Sequence, residues 1–88
     1  MRIRRNHQLG IEEAKNRASH IAGHLEQQFS LTSNWVGDRL MVRGNGVDGH
    51  LAVAEESIEV VVRLGFALKL MEIPIRRAIE STMDEHLS

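Results

Sequence analysis

Residues 43–64 read RGNGVDGHLAVAEESIEVVVRL, and this stretch decides between two folds. Gly44, Gly46 and Gly49 have the G-x-G-x-x-G spacing that holds a dinucleotide pyrophosphate. That function needs a helix directly after the glycines, because the phosphate binds at a helix N-terminus. The residues that follow instead alternate between apolar and polar side chains, which indicates strands. We therefore predict a hairpin loop, in which Asn45-Gly46 favours a positive φ and Gly49 permits a bulge or a close backbone approach.

The period of two continues on both sides of this loop. Trp35 and Val36 form a short strand that ends at a tight turn, Gly37-Asp38. After that turn the alternation marks one strand around Leu40 and Val42, a second around Leu51 and Val53, and a third over residues 58–64. The β-branched side chains of the third strand favour a central position in a sheet. Because the links between these strands are short, they are predicted to be antiparallel neighbours.

Two amphipathic helices flank the strands. Apolar residues recur at steps of three and four in the first helix, at Ile11, Ala14, Ala18, Ile21, Ala22, Leu25 and Phe29. The same steps follow Pro74, at Ile75, Ala78, Ile79, Thr82, Met83 and Leu87. With a short strand at residues 1–7, the order is β-α-β-β-β-β-α. We predict one α+β domain over residues 1–88, an antiparallel meander sheet with both helices on one face.

The composition argues against several classes of function. The chain has 88 residues, a formal charge of −1 and three aromatic residues, so it offers nucleic acid neither a strong field nor a stacking platform. No apolar run approaches the roughly 20 residues of a membrane span, and no apolar segment of a secretory signal follows the basic start. The sequence lacks cysteine, which suits a reducing compartment. We expect a cytoplasmic protein.

His20 and His24 lie four residues apart on one helix face, which is a spacing that metal ligands use. No third ligand is close in sequence, and His7, His50 or His86 would come near only through folding. We interpret the pair as solvated histidines and predict no metal site.

Asp48 and His50 would share one face of a strand, where acid–base chemistry is conceivable. No motif places a nucleophile beside them, and an aspartate in such a loop usually bonds its own backbone. We therefore predict a protein that is not an enzyme, with no catalytic residues and no cofactor.

A basic patch is a further hypothesis. Arg2, Arg4, Arg5, Arg39 and Arg43 would gather if the first strand paired near the strand that contains the last two. Such a patch would bind phosphate or an acidic surface. The alternative is solvated charge on an edge strand, which discourages edge-to-edge pairing.

Several apolar residues have no evident place in the core. A helix of one turn at residues 66–71 cannot bury all its apolar side chains against a small sheet, and together with Met41 and Val61 they predict an exposed apolar patch. Trp35 stands beside a glycine turn, and the usual burial of tryptophan favours the core over an exposed contact. The candidate binding residues are Trp35, Met41, Phe66, Leu68 and Met71.

Four motifs together resemble one family. Residues 3–14 read I-R-R-x-H-x-L-G-x-E-E-A, residues 35–40 read W-x-G-D-x-L, residues 46–53 read G-V-D-G-x-L-x-V, and residues 64–69 read L-G-F-x-L-K. The chain resembles the polyhydroxyalkanoic acid system ("granule region") proteins of bacteria over nearly its whole length. The resemblance implies a link to polyhydroxyalkanoate storage and supplies no catalytic residues. The order of elements also resembles a reduced helix-grip (START-like) arrangement, which implies a groove between the last helix and a curved sheet.

Two hypotheses of different class follow from the resemblance and the apolar residues. In the first, the protein is a non-enzymatic accessory of polyhydroxyalkanoate storage whose exposed apolar face contacts the granule surface, a granule-associated protein or a second copy of the chain. In the second, it binds a small apolar ligand in a groove lined by Val60, Val62, Ile75 and Ile79. A minor nucleic-acid contact through the arginines is a third and would weaken steeply with salt, unlike apolar adsorption.

Overall fold

The computed structural model describes residues 1–87 and confirms the predicted α+β class and order of elements. A 3₁₀ helix at Phe66–Met71 lies between the last strand and the second helix. The other elements are β1 (Arg2–Asn6), α1 (Gly10–Phe29), β2 (Thr32–Val36), β3 (Arg39–Gly44), β4 (Val47–Val53), β5 (Ser57–Leu64) and α2 (Glu72–Leu87).

The five strands form one sheet in the order β1-β5-β4-β3-β2, and all neighbours are antiparallel. One row of paired residues crosses the whole sheet as Ile3, Val60, Leu51, Leu40 and Trp35. β5 is an interior strand, as its β-branched residues predicted. β1 pairs with β5, so the supposition that it lies near β3 is wrong.

Both helices pack on one face of the sheet, and the core lies between the two layers. Ala14, Ala18 and Ala22 of α1 are buried, and their small side chains let the helix lie close to the strands. Ile79 and Met83 of α2 complete the core beside them. The other face of the sheet, on which neither helix packs, is here called the outer face.

The glycine motif is a hairpin loop, as predicted. Strand β4 follows it directly, so the glycines do not lead into a helix. Gly46 has a φ of +78°, while Gly44 pairs in register with Val47 and leaves no room for a bulge. At Gly49 a Cβ would overlap the carbonyl oxygen of Val61. Of the two roles foreseen for Gly49, the close backbone approach is therefore the observed one.

Candidate functional site

Four exposed large apolar side chains lie together in residues 66–73, which comprise the 3₁₀ helix and the start of α2 and are here called the apolar segment. Phe66 is 92% exposed, Leu70 93%, Ile73 65% and Met71 50%. Backbone hydrogen bonds hold the start of this segment, because the Gly65 N–H donates to the Gly46 carbonyl at 2.7 Å. A defined turn of backbone thus presents apolar side chains to solvent, which on small domains typically marks a contact surface.

Leu68 lies within this segment but has a different environment. It is half-buried, it packs over Gly46, and it lines an apolar cavity of about 180 Å³ between the sheet and the helices. The cavity is lined by Leu25, Phe29, Leu31, Val42, Asn45, Val47, Leu51, Val60, Val62, Leu68, Ile75 and Ile79. The four residues predicted to line a groove are all in this set.

The other two candidate binding residues lie away from the apolar segment. Trp35 is on the edge strand β2 and is 38% exposed, so the preference for a core position was wrong. The Lys15 ammonium lies 5.9 Å from its ring centroid and 2.6 Å from an Asp38 carboxylate oxygen. Met41 is half-buried on the outer face, opposite His50 in the register. The five candidates therefore do not form one surface.

The outer face carries most of the predicted basic patch. Arg43 and Arg63 both pair in register with Asp48, and the Arg43–Asp48 distance is 3.8 Å. Arg2 lies 3.7 Å from Glu59 on the same face. The arginines of this face are Arg2, Arg4, Arg39, Arg43 and Arg63. The carboxylates of Asp48 and Glu59 lie among these arginines and offset part of their positive charge, so the described residues do not form one concentrated anion site.

Arg5 does not belong to this patch, which corrects the sequence prediction. Its side chain reaches α2, where Nε donates to Asp84 at 2.9 Å and Nη2 donates to Glu80 at 3.2 Å. The hydrogen bond to Asp84 is the main reason that the pKa of the Arg5 guanidinium is raised. Alternation explains the difference, since neighbouring residues of a strand point to opposite faces.

Folding brings a third histidine to the predicted pair. The His86 ring lies beside α1, with its centroid 6.2 Å from that of His20 and 6.3 Å from that of His24. With the side chains as they stand, no group of three His, Cys, Asp or Glu residues within 1–87 is arranged to hold a metal ion.

Sequence reasoning missed His7, which is buried and joins two loops. Its Nδ1 accepts a hydrogen bond from the Leu9 N–H at 3.1 Å, so Nε2 carries the proton and donates to the Ala54 carbonyl at 3.1 Å. This fixes the tautomer and ties the β1–α1 connection to the end of β4. A single histidine after a strand gives no signal for this role in the sequence.

The comparisons with known proteins place the chain in a family. Among residues 1–87, no helix has both the length and the apolar character that a membrane crossing requires. Neither the curated proteins nor the solved structures include a significant match, so the helix-grip resemblance stays a prediction. The model of the family described as "Putative polyhydroxyalkanoic acid system protein" matches residues 1–87, and the chain belongs to that family.

Proposed function

We propose that this protein is a non-enzymatic, cytoplasmic accessory of polyhydroxyalkanoate storage that acts by apolar contact with the granule or with a granule-associated protein. The family links the chain to the polyhydroxyalkanoate system. The single observation that carries the mechanism is the apolar segment, in which Phe66 and Leu70 are almost fully exposed. A second copy of the chain is the other partner that such a surface fits.

The expected strength of the contact follows from the area left exposed. Full burial of a Phe or Leu side chain contributes about 1.5–3 kcal/mol, so Phe66 and Leu70 together contribute about 3–6 kcal/mol at an apolar surface. Met71 and Ile73 are partly exposed and add to this. Apolar burial does not weaken in salt as phosphate contacts do, so adsorption through this segment should persist at high ionic strength.

Co-sedimentation with isolated polyhydroxyalkanoate granules at low and high salt tests the proposal. The informative variant is Phe66→Ser/Leu70→Ser, because both side chains are exposed and make little contribution to the core. Val36→Ser is the matched control, since Val36 is also exposed but lies on the edge strand β2. A loss of about 3 kcal/mol lowers the bound-to-free ratio roughly a hundredfold in the double variant.

The outcomes separate direct contact from the alternatives. Pelleting that resists salt and falls only in the double variant supports contact through the apolar segment. If the wild-type protein stays in the supernatant at both salt concentrations, direct granule contact is wrong. Sedimentation equilibrium of the wild type and of the double variant then shows whether the apolar segment joins two copies of the chain, because in that case only the wild type would dimerise.

A second candidate function is favoured by the cavity. Its volume of about 180 Å³ and its almost wholly apolar lining fit a small apolar ligand. Ligand pockets usually measure about 300–1,000 Å³, whereas an apolar cavity of about 150 Å³ already binds benzene. The second hypothesis is therefore a binder of ligands of about that size, held between β5 and α2 by residues such as Val62 and Ile79.

A further inference from the structure

The three histidines at the contact of α1 and α2 have the composition of a metal site. His20 and His24 lie one turn apart on α1 and are exposed, while His86 comes from the last turn of α2. We propose that these three imidazoles bind a divalent transition-metal ion, zinc in the first instance, and that the ion fastens the end of α2 to α1. The proposal is independent of any granule contact.

The hydrogen bond of His86 prepares that ring to be a ligand. Its Nδ1 lies 2.8 Å from the Thr82 carbonyl oxygen. A carbonyl can only accept, so Nδ1 carries the hydrogen in the neutral ring and Nε2 keeps a free lone pair. Metal-bound histidines almost always donate their other N–H in this way, which fixes both tautomer and ring orientation.

Two of the three pairs of rings are near the separation that a shared ion requires. Zinc lies about 2.0–2.1 Å from each imidazole nitrogen, so the centroids of rings on one tetrahedral ion are about 5 Å apart. The centroids of His20 and His24 are now 6.2 and 6.3 Å from that of His86. The side chains of His20 and His24 are exposed, and exposed side chains change rotamer within nanoseconds, so the proposed site forms by rotation of these two rings toward His86.

The local electrostatics tolerate a cation. The last turn of α2 carries the negative end of the helix dipole, which favours positive charge beside His86. A fixed cation beside the site is Arg17, whose Nη1 donates to the His86 carbonyl oxygen. Its charge is offset by Glu13, which lies 3.0 Å from Arg17 Nε.

The donor set selects the class of metal. Imidazole ligands suit zinc, copper and nickel, whereas magnesium and calcium require oxygen ligands. Three protein ligands leave the fourth tetrahedral position to water. Two of the ligands are on α1 and one is on α2, so binding requires the two helices to be packed together and stabilises the folded state.

Thermal unfolding of the untagged, chelator-treated protein with added zinc tests the proposal, and the visible absorption of added cobalt(II) reports tetrahedral coordination. At a hundredfold excess of zinc over the Kd, we expect the wild-type Tm to rise by about 10–20 °C. His86→Ala and His24→Ala should each lower the affinity for zinc at least about a hundredfold. His50→Ala, on the outer face, should keep the wild-type affinity.

The proposal is wrong if zinc leaves the wild-type Tm unchanged and cobalt(II) gives no tetrahedral spectrum. It is also wrong if His86→Ala binds zinc as tightly as the wild type, because α1 alone would then hold the ion. The Tm of each variant without metal shows that it is folded. If His86→Ala does not fold, His24→Ala decides, since its exposed side chain is outside the core.

Discussion

Val62→Phe offers a direct test of the cavity between the sheet and the helices. Val62 is buried on β5 and lines the cavity. It pairs in register with Gly49 of β4, so no side chain faces it from that position of the neighbouring strand. We expect the phenyl ring to occupy the cavity, the variant to fold, and small apolar molecules to lose the site that the wild type offers them.

The expected effect of a bound ligand on stability follows from the volume of the cavity. At about 24 cal/mol per Å³, an empty apolar space of the size seen here, about 180 Å³, corresponds to about 4 kcal/mol of forgone contacts. Benzene at a hundredfold excess over its Kd would recover about 2.7 kcal/mol of this, which raises the Tm of a domain of this size by about 10–20 °C. In the variant, filling offsets an overpacking strain of about 1–3 kcal/mol, so the ligand-free Tm should stay near that of the wild type.

Thermal melting followed by circular dichroism, with and without benzene, measures both quantities. Val36→Phe is the matched control, because it makes the same chemical change at an exposed position on β2. It should melt and respond to benzene as the wild type does. Isothermal titration of the same three proteins gives the Kd independently of the melting transition.

Two results would refute this reasoning. If benzene leaves the wild-type Tm unchanged, the cavity does not take a ligand of the size its volume allows. If benzene stabilises Val62→Phe as much as it stabilises the wild type, the binding site lies elsewhere, with the apolar segment the first place to look. A ligand response confined to the wild type and Val36→Phe supports the cavity as the site.

Two further predictions concern stability. Gly49→Ala should lower the free energy of unfolding by about 1–3 kcal/mol, because the new Cβ would overlap the Val61 backbone. Gly23→Ala in α1 should raise it by about 0.5–1 kcal/mol, since nothing lies within 4 Å of the new Cβ. Urea unfolding measures both changes, and equal effects of the two substitutions would contradict the geometry. The pKa of the Glu13 carboxyl is lowered chiefly by the hydrogen bond from Arg17, so this pair stabilises the fold above the unfolded value of 4.5 and stops doing so as the pH falls through the folded pKa. The difference in unfolding free energy between the wild type and Glu13→Gln should therefore shrink on acidification; a difference that is constant with pH would argue against this pair.

The parts of the fold that rest on local sequence pattern were predictable. The helix faces follow from apolar steps of three and four, and the strands from alternation, because burial on one side selects those periods. The hairpin at Asn45-Gly46 follows from the short links and from strands on both sides. The same reasoning excluded a nucleotide site at the glycines, since the order strand-loop-strand provides no helix N-terminus.

The parts that rest on distant contacts were not predictable in this way. Periodicity gives a strand its faces but not its partner, so the pairing of β1 with β5 and the contact of Arg5 with α2 needed the tertiary structure. His86 is 62 positions from His24 in the sequence, and only the packing of α2 on α1 brings their rings together. The prediction that Trp35 lies in the core was wrong because the average burial of tryptophan does not reveal that β2 is an edge strand.

Leu68 connects the two candidate functions physically. It is two positions from both Phe66 and Leu70, and its side chain packs over Gly46 at the cavity while theirs are exposed to solvent. An apolar surface that binds the exposed side chains would therefore act on a backbone segment that forms part of the cavity wall. Granule contact and ligand binding are then coupled through Leu68. A ligand that shifts Leu68 would change the affinity of the apolar segment for an apolar surface. By linkage, that surface would change the affinity of the cavity for the ligand by the same factor.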